Sequence, residues 1–150
     1  MKNFLLSILF LLALMPLVHA THLVGGEMTY VRLAGNTIRV TLTVYRDNIN
    51  GQAAFDGDFS APNASPCVIS FYNDNGTFLE AIEVTLDNVD LINIELQPCQ
   101  DEIPGIETQQ GTYTFDVNLN NINGFNPALG VTLVYGRCCR NGIINNLSVP

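Results

Sequence analysis

Cys67, Cys99, Cys138 and Cys139 are the residues of this chain best suited to covalent chemistry, and two of them are adjacent. Four thiols allow three disulfide connectivities. Neighbouring side chains on an extended strand point to opposite faces, so Cys138 and Cys139 each reach toward a different partner. The pairing expected from that geometry joins them to Cys67 and Cys99. Each bridge would close a loop of several tens of residues, worth roughly 4 kcal/mol on a chain-entropy account. A bond between the two neighbours and a metal site are the rival readings. Zinc sites use paired C-x-x-C or Cys/His spacing, and His22 lies far from the cysteines in sequence.

The second group with chemical potential is acidic. Asp56-Gly57-Asp58 and Asn73-Asp74-Asn75 place carboxylates and amides close together, which suits the hard calcium ion. Neither run matches the D-x-[DN]-x-[DN]-G loop with its distal Glu, and side chains that satisfy local backbone groups in solvated turns are the plainer expectation. Asp56, Asp58 and Asp74 are therefore weak metal candidates. Asp47 follows Arg46 at the entry to the first long loop, where an ion pair would order it. Arg137 and Arg140 flank the adjacent cysteines, and their planar guanidinium groups suit tying loops to carbonyls or carboxylates. Catalytic patterns are missing from the sequence: there is no G-x-S-x-G turn for a serine nucleophile and no G-x-G-x-x-G or G-x-x-x-x-G-K phosphate cradle. No enzymatic role is expected.

Composition narrows the class further. The 150 residues are 47% hydrophobic and 13% charged, with 14 acidic and 6 basic side chains and a net charge of −8. So apolar a chain is not expected to be disordered. So few cations do not suit nucleic acid, whose phosphates need clustered Lys and Arg. Lys2 followed by the apolar run Phe4 to Val18 and by Val18-His19-Ala20 reads as a secretory signal peptide over residues 1–20. The run is shorter than the roughly 20 residues a spanning helix needs, so no transmembrane segment is expected after signal cleavage. Residues 21–150 are expected to be a secreted single domain, whose cysteines meet an oxidising compartment. Their cations are Arg32, Arg39, Arg46, Arg137 and Arg140.

The elements that must position these groups have a period of two. Ile38, Val40, Leu42 and Val44 alternate with Arg39, Thr41, Thr43 and Tyr45, and Tyr113, Phe115, Val117 and Leu119 alternate with polar residues. Both runs predict half-buried strands. Further strands are expected at Met28–Leu33, Cys67–Tyr72, Thr77–Leu86, Val89–Leu96, Val131–Tyr135 and Ile143–Val149. Ala34-Gly35-Asn36 and Asn75-Gly76 are hairpin-turn signals. No stretch has helical periodicity. The expected fold is all-β, an antiparallel Ig-like β-sandwich of about seven to eight strands. Residues Asp47–Pro66 and Pro98–Gln110 read as long loops, where a binding surface is most often found.

The runs His22-Leu23-Val24-Gly25-Gly26-Glu27-Met28-Thr29-Tyr30, Leu42-Thr43-Val44-Tyr45-Arg46-Asp47, Gly111-Thr112-Tyr113 and Arg137-Cys138-Cys139-Arg140-Asn141-Gly142 with Ile144-Asn145-Asn146 together resemble the N-terminal module of very large secreted Bacteroidetes proteins. Those proteins carry PKD or other Ig-like repeats and a gliding-motility-associated C-terminal domain. The resemblance spans essentially all of residues 21–150. It implies a cell-surface or extracellular protein of adhesin type. Family members usually have a cysteine after the Arg-Asp pair, where this chain has Asn48, and Cys67 has no clear counterpart. They also continue for hundreds of residues, so the chain reads as a truncated product or a stand-alone copy of the module.

Two functions follow as expectations. The first is a non-catalytic structural or adhesive module acting on a surface glycan or protein. The alternative is a secreted carbohydrate- or small-ligand-binding domain, calcium-assisted, in which Asp56, Asp58 or Asp74 converge with Phe55, Phe59 or Tyr72.

Overall fold

A computed structural model describes residues 23–49, 54–61, 64–92 and 107–137. The expected signal peptide, Cys99, Cys138, Cys139, Arg140 and the strand expected at Ile143–Val149 lie outside the described residues. So does His22.

Among the described residues seven strands form: β1 (Leu23–Arg32), β2 (Thr37–Asp47), β3 (Cys67–Tyr72), β4 (Phe78–Val84), β5 (Asn88–Ile92), β6 (Thr108–Asn118) and β7 (Thr132–Tyr135), with a short 3₁₀ turn at Leu119–Asn121. Every pairing is antiparallel. They build a four-stranded sheet in the order β1-β2-β6-β5 and a three-stranded sheet in the order β4-β3-β7. The apolar alternation decides which faces meet. Ile38, Val40, Leu42 and Val44 of β2, Tyr113 and Val117 of β6, Cys67, Ile69 and Phe71 of β3 and Val84 of β4 are buried in one cluster shared by both sheets. Each such aliphatic or aromatic side chain contributes on the order of 1.5–3 kcal/mol when fully buried. Arg39 and Asp116, directly opposite each other in the β2–β6 register, carry the outer face and pair through two bonds of 2.7 and 2.8 Å.

Both expected hairpin turns form. Gly35 and Gly76 take positive φ, and the Asn73 side-chain oxygen accepts from the N–H groups of Asn75 and Thr77 at 3.1 and 2.8 Å. Two strands begin earlier than their side chains suggest. The first starts at Leu23 rather than Met28 because Gly26 lies against β2, where a Cβ would come within 2.8 Å of the Thr43 carbonyl. The central strand β6 starts at Thr108, inside the segment expected to be loop. Its polar Thr108, Gln109 and Gln110 sit between β2 and β5, whose ladders satisfy their backbone on both sides.

Candidate functional site

The segment joining β2 to β3 crosses from one sheet to the other, and its described part turns inward. Phe55 is fully buried. Its ring lies on Gly111 of β6, where a Cβ would stand only 2.8 Å from two ring carbons. On another side the Arg46 guanidinium sits 4.5 Å from the ring centroid, a cation–π contact. Arg46 is itself held by its Nε, which donates to Gln109 Oε1 at 2.8 Å. Burial lowers the Arg46 pKa, against an opposing pull from Asp58. Gly57, at φ 73°, threads the chain where a Cβ would meet the Val84 carbonyl at 2.7 Å and Cys67 Cβ at 3.3 Å. Its N–H donates to the Ser65 carbonyl at 2.7 Å, and its carbonyl accepts from Leu86 N–H at 3.3 Å.

Between Phe55 and Gly57 stands Asp56, the one buried acid among the described residues, 4% exposed. Its Oδ2 accepts from the Tyr135 hydroxyl at 2.7 Å. Its backbone carbonyl accepts from the Tyr113 hydroxyl, also at 2.7 Å. Its Oδ1 lies 3.5 Å from Arg137 Nη1. Those last two atoms are buried and have no hydrogen-bond partner, so they meet as opposite charges without an aligned bond. Strands β6 and β7 and the residue two past β7 thus converge on one loop residue, β6 at its backbone carbonyl and the other two at its carboxylate.

The surrounding titratable groups are held in their protonated forms. Burial, and then the charge of Asp56, pushes the Cys67 thiol up to about 12 despite the opposing Arg137. Burial raises Tyr113 as well, with Cys67 and Asp56 adding to it. Burial and the hydrogen bond to Asp56 raise Tyr135. Two phenols that stay protonated serve as donors, and a thiol this far from ionising is a poor nucleophile. The arrangement can fasten a loop between two sheets. It offers no exposed nucleophile beside a base.

The residues singled out from the sequence divide accordingly. Phe55 and Asp56, expected on a binding surface, are in the interior, because a loop crossing between sheets must fill the space it enters. Asp58 is half-buried, and its Oδ1 accepts from Ser60 N–H at 3.1 Å. Asp47 Oδ1 accepts from Ile49 N–H at 2.9 Å, the same local turn. Asp74 is exposed in the β3–β4 turn, at the end of β3 away from Cys67. Tyr72 is at that far end too, edge-on to Phe78 at 5.7 Å, and Phe59 is exposed. Asp56, Asp58 and Asp74 are therefore not brought together with these aromatics. Among the described residues no group of three or more His, Cys, Asp or Glu could hold a metal ion. Cys67 is unbridged.

The sequence reading gave no role to Tyr113 and Tyr135. The signal available was their inward position in period-two strands, since a buried phenol needs a partner for its hydroxyl. No family model, curated protein or solved structure matches this chain.

Proposed function

We propose that this chain is a non-catalytic extracellular or cell-surface module of Ig-like topology, structural or adhesive in role, presenting its surface to a glycan or protein partner. The observation that carries the reading is the inward use of its reactive groups. Asp56, Cys67, Tyr113, Tyr135 and Arg137 are gathered where the β2–β3 loop is fastened between the sheets. The strand order supports the topology: β1-β2-β6-β5 corresponds to the ABED sheet of an Ig-type sandwich, and β4-β3-β7 to C and F of the second sheet with β4 added beside C, no described strand standing at G. Export through residues 1–20 and pairing of Cys67 with a cysteine outside the described residues belong to the same reading. Among the described residues no helix is long and apolar enough to cross a membrane.

The test expresses the complete chain with its leader in a Gram-negative host. Its location is followed by fractionation and its thiols by titration under denaturing conditions. Beads coated with the product are then scored for adhesion to immobilised polysaccharides and to surface proteins. The expected result is exported, oxidised protein that adheres and hydrolyses neither esters nor glycosides. Cytoplasmic, fully reduced protein, or catalytic turnover abolished by changing a single side chain, would sink the proposal. A melting midpoint raised by millimolar calcium would instead favour the ligand-binding alternative.

A further inference from the structure

The dipeptide Asn-Gly stands at Asn75-Gly76 and at Asn123-Gly124 among the described residues, and the fold gives the two pairs different places in their turns. Two more pairs, at 50–51 and 141–142, lie outside the described residues. In this dipeptide a main-chain nitrogen reaches the preceding side-chain amide with least obstruction, because glycine has no Cβ. At the β3–β4 turn Gly76 is the fourth residue, and its N–H donates to the Asn73 carbonyl at 3.0 Å. After β6 the placement is one residue earlier. The Phe125 N–H closes the turn on the Ile122 carbonyl at 3.1 Å, so Asn123 and Gly124 are its two central residues. Gly124 has φ 80°, the left-handed value that glycine accepts at the third position of such a turn. Both residues are exposed, and among the described residues no acceptor takes the Gly124 N–H.

We propose that Asn123 is a self-modification site, converting to aspartate and isoaspartate through a succinimide formed with Gly124, and that its turn shields Asn75 from the same reaction. This is the chain's own chemistry and does not rest on the adhesive reading. Hydroxide removes the Gly124 amide proton, and the nitrogen attacks Asn123 Cγ. A five-membered imide closes as the bond from Cγ to the side-chain nitrogen breaks and ammonia leaves. Water then opens the ring. Hydrolysis at Cγ gives aspartate, and hydrolysis at the main-chain carbonyl gives isoaspartate, with one more carbon in the main chain.

The contrast between the two sites has a physical origin. The Gly76 N–H must break a hydrogen bond before its nitrogen can attack, and a bond of that kind is worth a factor of roughly 2 to 12 in rate. The Gly124 N–H has no such bond to break. Its surroundings also make the product consequential. The Asn123 N–H donates to Glu80 Oε2 at 3.3 Å, so the new carboxylate arises beside an existing one, and like charges repel. Ile122 on one side is buried, and Phe125 on the other packs against the core. An added main-chain carbon between them loosens the segment that follows β6.

The full chain, held at mildly alkaline pH in native buffer and in concentrated urea, tests this by peptide mapping of both dipeptides over time, with isoaspartate read by enzymatic methylation. In native buffer Asn123 should convert faster than Asn75 by roughly 2- to 12-fold. In urea the two rates should converge. Native conversion of Asn75 at the same rate or faster overturns the proposal, as does an Asn123 that stays intact in native buffer while it converts in urea. The melting midpoint should fall as the native wild-type protein ages. Asn123→Gln should hold it steady, because the six-membered imide closes far more slowly. An equal fall in both proteins overturns the assignment of that ageing to Asn123.

Discussion

The Tyr135 hydroxyl donates to Asp56 Oδ2 at 2.7 Å across 79 positions of sequence. It joins the last described strand to a loop that leaves the other sheet. The contact is polar in the middle of an apolar sandwich. A buried carboxylate is tolerated there because Tyr135 and Arg137 both meet it. Removing any one partner should expose the cost of the others.

Asp56→Ala leaves Arg137, whose side chain is 22% exposed, without its counter-charge and the Tyr135 hydroxyl without its acceptor. Breaking one side of a buried charge pair costs about 3–5 kcal/mol. Tyr135→Phe removes one charge-assisted bond and should cost about 1.5–3 kcal/mol. Urea unfolding of the two variants checks the order. A smaller loss for Asp56→Ala than for Tyr135→Phe would mean that the carboxylate is a burden to the fold.

Gly57 and Gly35 both have positive φ, at 73° and 60°, but only Gly57 is crowded. Gly35→Ala meets open space and should cost about 1–2 kcal/mol, the left-handed penalty alone. Gly57→Ala adds an overlap with the Val84 carbonyl, for a total of about 3 kcal/mol or more. Thermal melts of the two single variants separate conformation from crowding.

Gly111→Ala drives a methyl group into the Phe55 ring, since a Cβ there would lie 2.8 Å away. The expected loss is about 1–3 kcal/mol. Phe55→Leu should also destabilise the protein on its own, by opening space in the core. Combined, the two should cost less than their sum, because the smaller side chain relieves the clash. A double-mutant cycle reads that coupling. Strict additivity would place the ring elsewhere in solution.

Alkaline pH should weaken the reduced protein. Unfolded Cys and Tyr titrate near 8.5 and 10, whereas in the fold Cys67 is pushed up to about 12 and Tyr113 and Tyr135 are raised above their usual value. The folded state therefore holds protons that the unfolded chain releases, so stability falls with pH. The contribution is complete below about pH 8.5 and is lost as pH climbs toward 12. Melting midpoints in reducing buffer should stay level to about pH 8.5 and then decline. Cys67→Ala should delay the onset toward pH 10, where the tyrosines alone remain.

Much of the architecture was legible because one physical regularity governs it. Strand side chains alternate faces, so the runs at Ile38–Val44 and Tyr113–Val117 could be assigned inward residues without knowing what they touch. The Cys67–Tyr72 strand matches its expected bounds. Asn and Gly at Gly35 and Asn75-Gly76 marked turns because few other residues accept positive φ. Arg137 was read as a cation tying a loop, and its partner is the Asp56 carboxylate. The identity of that partner was not legible, since sequence carries no measure of the distance between positions 56, 113, 135 and 137. The fate of Phe55 and Asp56 was also decided only in three dimensions. In isolation they look like a polar loop with an aromatic tip. They become interior because that loop crosses between two sheets, and the glycines at 57 and 111 leave room for nothing larger beside it. Local chemistry determined the strands and turns of this protein, and the packing of the two sheets determined which loop residues were withdrawn from water.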